Sequence, residues 1–447
     1  MRKYIYGSLL LMMLGMSAPS QAQDFDVKPA LNLERNDFKV SAGGRFMADA
    51  AYYKTDFTNM KSGAAIVDAR IRTSLEYKNW YLYVDFDFGT GSFKQKNIFL
   101  QYTFDDEFTI GKHSLKLGYY NEPSTMANNT SIYSYHFITR PTAAMALQPH
   151  RSLGVTYKYY DRMFLFNQGV FAENKYNDQI KGFQGVSVSG RWLVRPLNNE
   201  DNTLHFGVGA RYSRLNTGEL ENGVLKTNLA LNSPLLTYVD KNEEFLNAQI
   251  PWAKNVVDIN VEALYRNSKF FARGEFTYKI VTKDRDDEAL FNNQLGGVWS
   301  WTTLDSWKAG NPLGSSRFKG GYVEMGYQIF GNGYDYATDE GLLRGYTGKA
   351  LEIVARYNYT DMNDIRSGEY FLYGKKKFYP NGVIKDYPAT SKSIGGGKVH
   401  SATIGLNYAL NKYVQLMFDY TYNRLDNVYF PMDKDFHTFQ ARAMFAF

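Results

Sequence analysis

The chain has 447 residues, a formal net charge of +6, 36 Tyr, 31 Phe and no Cys. This weakly basic balance argues against a nucleic-acid partner, and the absence of Cys excludes disulfide bonds and thiolate metal sites. After residue 22 no apolar run is long enough for a transmembrane helix, which excludes a helical membrane protein. Abundant Tyr and Phe are instead typical of the aromatic girdles of membrane β-barrels.

Residues 1–22 have the pattern of a secretory signal peptide. Arg2 and Lys3 are basic, Ile5–Met13 is an apolar run, and Ser20 and Ala22 are the small residues expected just before a cleavage site. The pattern predicts export and removal of this peptide. Residues 23–37 are then expected to form a short periplasmic N-terminal segment, and residues 38–447 the folded body of the protein.

From residue 38 onward, apolar and polar residues alternate with the period of two that is typical of β-strands. Ile71 and Leu75, for example, share one face of a segment whose other face carries Asp68, Arg70 and Arg72. The pattern predicts sixteen strands, near residues 38–52, 64–77, 80–89, 97–104, 113–120, 152–160, 163–172, 185–195, 203–213, 256–266, 269–280, 319–329, 350–359, 398–409, 413–423 and 437–447. The predicted fold class is therefore all-β.

The charges indicate which medium the apolar faces meet. On the segment Leu351–Tyr359 the apolar face carries no charge, whereas Glu352 and Arg356 lie on the opposite face. A charge that faces the middle of a bilayer costs a barrel ~2–4 kcal/mol, so a lipid-facing surface excludes charges that a water-filled lumen tolerates. We therefore predict a transmembrane antiparallel β-barrel. The apolar faces of a soluble β-sandwich would instead pack against each other.

The lengths of the connections support this topology, because an even-stranded barrel alternates long outer loops with short periplasmic turns. Tight turns are predicted at residues 78–79, 161–162, 267–268 and 410–412, and long loops at 53–63, 121–151, 214–255, 281–318, 360–397 and 424–436. The connection at residues 331–349 is too long for a periplasmic turn. Either this turn is unusual or the predicted register is wrong there.

The third long outer loop, residues 121–151, is a candidate constriction. It contains His136, Arg140, His150 and Arg151, and Glu122 is its only acidic residue. If the loop folds into the barrel, its positive charge would favour the passage of anions. The alternative is an ordinary solvated surface loop.

At this segment the sequence resembles the phosphate-selective porin O and P family. Residues Leu117–Pro123, Ile138–Pro141 and Pro149–Gly154 reproduce the family's order of a Gly, a Glu-Pro pair, an Arg and a Pro-x-Arg-x-x-Gly motif. Thr139 stands where an acidic residue is expected. The resemblance implies a sixteen-stranded trimeric barrel with an arginine-rich pore.

Further cations are predicted on the inner faces of the strands. They are Arg45, Arg70, Arg72, Lys116, Arg191, Arg211, Arg273 and Arg356. A row of guanidinium groups could pass oxyanions along, because each presents a planar fork to carboxylate or phosphate. Acidic residues such as Asp68 and Glu262 are predicted on the same faces. The alternative is therefore that these charges form ion pairs that hold the wall open, with only mild selectivity.

The last predicted strand carries Phe439, Phe445 and Phe447 on one face and ends on an aromatic residue. This pattern resembles the C-terminal signal that the bacterial barrel-assembly machinery recognises. An ordinary terminal strand is the alternative.

Signatures of an enzyme are missing from the sequence. The six His residues are scattered, without a nucleophile partner or the spacing of a metal site, and no glycine-rich loop precedes a helix. We therefore predict an outer-membrane porin of a Gram-negative bacterium, without cofactor, that passes small anionic solutes and contacts membrane lipid, the assembly machinery and two further copies of itself. The alternative is an adhesin that binds through its long outer loops.

Overall fold

The structure is a computed structural model. It describes residues 29–447, except for residues 90, 92, 106–110, 174–184, 216–219, 222–223, 226–227, 242–244, 252, 284–287, 289–290, 292–302, 311–313, 366–370, 374–375, 379–383, 386–392 and 427–432. The predicted signal peptide at residues 1–22 and the first part of the predicted segment 23–37 therefore lie outside the described residues.

The first strands, in chain order, are β1 (Leu31–Arg35), β2 (Phe38–Lys54), β3 (Gly63–Tyr77), β4 (Trp80–Asp87), β5 (Lys94–Phe104), β6 (Lys112–Asn121), β7 (Arg151–Tyr160), β8 (Phe164–Ala172), β9 (Val186–Asn198), β10 (Thr203–Arg214), β11 (Leu220–Glu221), β12 (Val224–Leu225), β13 (Asn228–Ser233) and β14 (Leu246–Pro251). They are followed by β15 (Ala253–Arg266), β16 (Phe270–Lys283), β17 (Ser316–Phe330), β18 (Tyr336–Ala337), β19 (Leu342–Leu343), β20 (Ala350–Asp364), β21 (Phe371–Tyr373), β22 (Lys376–Phe378), β23 (Ile384–Lys385), β24 (Ser393–Ala409), β25 (Val414–Asp426) and β26 (Asp435–Ala446).

Short helices occur in the connections. They are α1 (Met126–Asn129), a 3₁₀ turn at Ile132–Ser134, α2 (Thr142–Leu147) and α3 (Leu304–Gly310). None of the helices among the described residues is long and apolar enough to cross a membrane.

Sixteen long strands form the wall of a closed antiparallel barrel, as the alternation pattern predicts. They are β2–β10, β15–β17, β20 and β24–β26. Each pairs with its neighbour in this order, and β2 pairs with β26 from Arg45 opposite Ala446 to Lys54 opposite His437, which closes the barrel. Closure leaves the backbone of the wall hydrogen-bonded, as a lipid environment requires.

The N-terminal strand β1 extends this seam. β26 ends where Phe447 exchanges backbone hydrogen bonds with Gly44, and β1 then pairs with β2 from Leu31 opposite Ala42 to Arg35 opposite Phe38. Gly44 has no room for a side chain, because a Cβ atom there would lie 2.5 Å from the Phe447 ring. Part of the predicted N-terminal segment therefore lengthens the wall.

The outer face of the wall is apolar, with aromatic rings near both rims. At one rim Phe38 stacks on Tyr77 with ring centroids 4.3 Å apart, and at the other Tyr52 and Phe439 lie 6.3 Å apart. In β8, whose register the sequence leaves weakly defined, Gln168 is exposed on the outer face and Asn167 lies on the inner face. Rings at both rims are the arrangement expected of a protein embedded in a bilayer.

The strands on either side of the long connection at residues 331–349 pair in the predicted register. β17 and β20 pair from Lys319 opposite Asp361 to Phe330 opposite Leu351, so both flanking strands lie where the sequence places them. The turn itself is unusual, because its β18–β19 hairpin is buried, with Leu342 and Leu343 4% and 2% exposed. The extra residues fold into the barrel from the periplasmic end.

Candidate channel and constriction

The outer loop at residues 122–150 crosses the lumen. It leaves β6 and is anchored on the far side of the barrel by carboxylates of the wall: Glu275 of β16 accepts the N–H groups of Met126 and Ala127, each at 3.1 Å. Further along, Asp419 of β25 accepts the N–H of Ile138 at 2.9 Å. Backbone N–H groups thus find partners inside the barrel, which holds the loop in place.

A second outer segment, the β13–β14 hairpin, packs on this loop. Leu147 of α2 is fully buried in an apolar cluster with Leu246 and Ile250 of the hairpin and Phe318 and Val399 of the wall. Apolar packing of this kind excludes water from the lumen on this side. The described residues of this cluster are apolar and offer no charged partner to a solute.

The periplasmic turn at residues 331–349 meets the loop from the other end. Arg191 donates to the carbonyl oxygens of Glu340 and Gly341 at 2.6 and 2.9 Å, which fixes the tip of the turn against β9. Leu342 packs in one cluster with Met126 of the outer loop. The two inserted segments therefore touch in the interior of the barrel.

Glu352 of β20 ties both segments to the wall. His136 of the outer loop lies 3.1 Å from its carboxylate, and the amide of Asn407 donates to it at 2.8 Å. The hydroxyls of Tyr334 and Tyr346, from the periplasmic turn, donate to the same carboxylate. A buried carboxylate with this many donors is fully compensated for the loss of water.

A continuous cavity of about 810 Å³ remains along the wall from β2 to β7, and we call it the channel. Its lining includes Tyr238 and Lys241 of the outer segment and, towards the periplasm, Asn32 and Lys412. Among the described residues, its lining contains eleven cations and six acids. The cations are Lys39, Arg45, Arg70, Arg72, Lys96, Lys116, Arg140, Arg151, Lys241, Arg344 and Lys412, and the acids are Asp68, Glu76, Asp85, Asp87, Asp335 and Glu340.

Three of the acidic residues of the channel are held behind cations. Asp68 pairs with Arg45 at 2.9 Å and with Arg70 at 2.8 Å, Arg70 also reaches Asp85 at 2.9 Å, and Lys96 lies 3.1 Å from Asp87. These three carboxylates are at most 5% exposed. The charge that meets water is therefore mainly positive.

Five partly exposed cations of the channel come from strands β3 to β7 and from the inserted loop. They are Arg70, Lys96, Lys116, Arg140 and Arg151. Arg140 also donates to the carbonyl oxygens of Ala127 and Thr130, at 2.9 and 2.7 Å, and so stabilises the loop that carries it. Arg151 donates to Asn97 at 2.6 Å.

The structure separates the site residues predicted from the sequence into two groups. Arg45, Arg70, Arg72, Lys116, Arg140 and Arg151 line the channel, and Arg191 borders a smaller cavity beside it. His150 is exposed and does not line either cavity, and the remaining four are buried elsewhere, namely His136, Arg211, Arg273 and Arg356.

The buried members of the second group have structural partners. Arg211 lies 2.9 Å from Glu122, Arg273 lies 2.6 Å from Glu324, and Arg356 donates to the carbonyl of Thr139 at 2.7 Å. Two of these partners belong to the inserted loop. These cations hold segments in the lumen and do not face the channel.

Sequence reasoning missed five cations of the channel, namely Lys39, Lys96, Lys241, Arg344 and Lys412. Lys96 was overlooked because β5 begins at Lys94, earlier than the predicted start at residue 97. Arg344 lies in the anomalous turn, and Lys241 and Lys412 lie in connections. Among these only Lys39 carries a sequence signal, because it lies on the same face of β2 as Arg45. Lys96 lies at the register shift between β4 and β5 and therefore falls outside the inward period of β5.

The aromatic residues proposed as an assembly signal all face outward. Phe439, Phe445 and Phe447 are 46%, 45% and 40% exposed, and the last two rings stack with centroids 5.6 Å apart. Among the residues that the structure describes, no group of three or more His, Cys, Asp or Glu could hold a metal ion.

A closed β-barrel with an apolar outer face, a charged lumen and an inserted constricting loop is the architecture of an outer-membrane porin. The chain belongs to the family described as phosphate-selective porin O and P, whose sequence model matches residues 40–447. It is therefore an outer-membrane protein of Gram-negative bacteria with the channel fold that its sequence predicts.

Solved structures share this fold at low identity. An anion-selective porin from Comamonas acidovorans has a TM-score of 0.52 at 11% identity, over 92% of this chain and 100% of that one. OmpT of Vibrio cholerae has a TM-score of 0.51 at 11% identity, over 94% and 100%. OprB of Pseudomonas putida has a TM-score of 0.52 at 9% identity, over 91% and 94%. No curated protein sequence matches the chain.

Proposed function

We propose that this porin is a passive channel that prefers anions, and that its selectivity resides in the partly exposed cations of the channel. The observation that carries this proposal is the arrangement of charge: Arg70, Lys96 and Arg151 meet water, whereas Asp68 and Asp85 are buried behind them. An ion in a narrow passage lies well within the Debye length of ~8 Å of these groups, so salt screens them weakly.

Small oxyanions, phosphate among them, are the solutes that fit this lining. Guanidinium groups such as those of Arg70, Arg140 and Arg151 can bind two oxygens of one phosphate or carboxylate at once. The family description and the anion-selective porin of the same fold support this choice of solute. Passage needs no cofactor and no chemical step, because the solute only exchanges part of its hydration shell for these groups.

We further propose that the protein assembles as a homotrimer through its barrel wall, and that the barrel-assembly machinery recognises the outward Phe439, Phe445 and Phe447. Membership of the phosphate-selective porin O and P family, whose resemblance implies a trimeric barrel, supports the first point. The alternative role as an adhesin would use the outer loops at residues 214–255 and 360–397, much of which lies outside the described residues.

The test of anion preference is the reversal potential of the purified protein in a planar bilayer under a potassium chloride gradient. Wild type should favour chloride. Replacing Arg140→Ser together with Arg151→Ser should move the permeability ratio towards potassium, because two cations leave the channel. Arg424→Ser is the matched control, since this side chain is 55% exposed at a strand end. If the double variant keeps the wild-type ratio, the assignment of the constriction is wrong.

A further inference from the structure

A second, smaller cavity of about 70 Å³ opens beside the channel against strands β5–β9. Lys116, Tyr120, Asn121 and Asn129 line both cavities, so the smaller one is a side branch of the channel. We call it the side cavity. Its volume can hold a few water molecules or a short polyol chain.

Strand register places two rows of polar side chains on the wall of the side cavity. One row consists of Gln101, Lys116 and Thr156 on β5, β6 and β7. The adjacent row consists of Ser114, Lys158, Asn167 and Arg191 on β6 to β9. Directly paired residues of a sheet bring their side chains together on one face. Cations and neutral amide or hydroxyl groups therefore alternate within contact distance of a single small ligand.

The amides of the side cavity present mainly acceptor oxygens. Asn129 donates its amide to the carbonyl of Thr125 at 2.7 Å, and Asn121 donates to Asn128 at 2.8 Å. The Oδ1 atom of Asn167 is buried and accepts no hydrogen bond from any residue that the structure describes. A buried acceptor of this kind is costly unless a donor meets it. A bare oxyanion has no donor to offer, but a hydroxyl group has.

Acidic groups complete the lining on the side of the periplasmic turn. Asp339 and Glu340 border the side cavity opposite the wall strands. Carboxylates repel a phosphate or carboxylate group but accept hydrogen bonds from hydroxyls. They therefore orient a ligand with its charge at Lys116 and Lys158 and its hydroxyl groups towards the acceptors.

We propose that the side cavity binds small anions that carry hydroxyl groups beside the charged group, a class that includes polyol phosphates and hydroxycarboxylates. Lys116 and Lys158 bind the charged group, and Asn167, Asn121 and Asn129 accept the hydroxyls. This assignment rests on the proposed function, because such a ligand reaches the side cavity only if the channel admits anions. Binding in the side cavity makes the porin discriminate among anions of equal charge.

The experiment compares glycerol phosphate with propyl phosphate, which have the same charge and chain length and differ by two hydroxyls. Each is titrated against the chloride current through the full-length protein in a planar bilayer, and the concentration that halves the current is measured. Two hydrogen bonds of ordinary net strength predict half-block by glycerol phosphate at a concentration about tenfold lower than that for propyl phosphate.

Asn167→Leu should reduce this difference to less than about threefold, because leucine has nearly the same volume as asparagine but no hydrogen-bond acceptor. The matched control Asn332→Leu changes an exposed amide that borders neither cavity and should keep the full difference. If Asn167→Leu does not fold, Gln101→Met tests the same cavity from the adjacent row.

The outcomes separate the two proposals. A chloride-selective channel that both phosphates block alike overturns the side cavity as a binding site and leaves the anion channel standing. A channel without chloride preference overturns the proposed function, and the side cavity with it. A full tenfold difference that persists in the Asn167 and Gln101 variants also overturns the side cavity as the source of discrimination.

Discussion

The two sides of the lumen use the same residue type for opposite purposes. Along β2–β7, Arg70 pairs with acids behind it and still reaches the water of the channel, with 12% of its side chain exposed. On the side from β9 to β26, Arg273 is 1% exposed, pairs with Glu324 and lies over the ring of Tyr135 at 4.6 Å. Of these two inward Arg residues, Arg70 reaches the channel, whereas Tyr135 of the inserted loop covers Arg273.

This difference follows from where the inserted segments dock. The outer loop, the β13–β14 hairpin and the periplasmic turn all bind to the second side, through apolar clusters and through wall carboxylates such as Glu275 and Glu352. On the side formed by β2–β7, cations lie between the acidic residues and the lumen. This side therefore offers the inserted segments fewer accessible carboxylates. The remaining passage runs along the side on which the inserted segments make fewer contacts.

Replacing residues 332–348 by an Asn-Gly turn should reduce the difference between the two sides of the lumen more than any other change. Without the hairpin, Arg191 and Glu352 lose their covering partners and meet water, so the closed side should open as a second passage. Single-channel conductance should rise by a larger factor than in any point variant. Asn332→Ala, an exposed change in the same turn, is the control. Unchanged conductance in a folded barrel would show that the hairpin does not obstruct flow.

Replacing one cation on each side of the lumen should affect stability on one side and selectivity on the other. Arg273→Gln leaves Glu324 buried with a weaker partner, and breaking a buried pair costs about 3–5 kcal/mol, so the folded band should be lost at a lower temperature while the reversal potential stays unchanged. Lys96→Gln, on the channel side, should move the reversal potential towards cations with a smaller loss of stability, because Lys96 is 23% exposed and Asp87 keeps the N–H of Gly89 as a donor. Equal effects of both variants on selectivity would contradict the division of the lumen.

Deleting Phe447 should affect both sides alike and leave conductance unchanged. The deletion removes two backbone hydrogen bonds to Gly44 and the last outward ring, so the seam should close more slowly. The measurement is the rate at which the heat-modifiable folded form accumulates in the outer membrane. Phe276→Ala, which removes another lipid-facing ring that is 42% exposed, is the control. Equal rates for the deletion and wild type would argue against an assembly role.

The wall could be predicted from the sequence because one local rule governs it. A strand in a bilayer must alternate and must keep charge off the lipid face, so Leu351–Tyr359 shows its orientation without reference to its neighbours. The start of β5 shows the limit of this rule. Lys94–Lys96 are polar at successive positions and break the alternation, and the prediction therefore began too late to include Lys96.

The interior could not be predicted to the same degree, because it depends on contacts between distant segments. The sequence singled out the outer loop by its charge, but it could not show that Arg140 faces the channel while His136 is bound to Glu352. The hairpin at Tyr336–Leu343 is too short for a periodic signal. Its insertion was visible only as a turn of the wrong length.

At the seam of the barrel, β26 and β1 pair one after the other with the same edge of β2. Phe447 pairs with Gly44, and the register of β1, continued by one step, places Ala30 opposite Gly43. β26 and β1 run in the same direction along β2, so Phe447 and Ala30 occupy successive positions of what is geometrically one strand. A peptide bond between them would continue that strand without a loop. The barrel is thus suited to circular permutation, with new termini opened in any of its tight periplasmic turns.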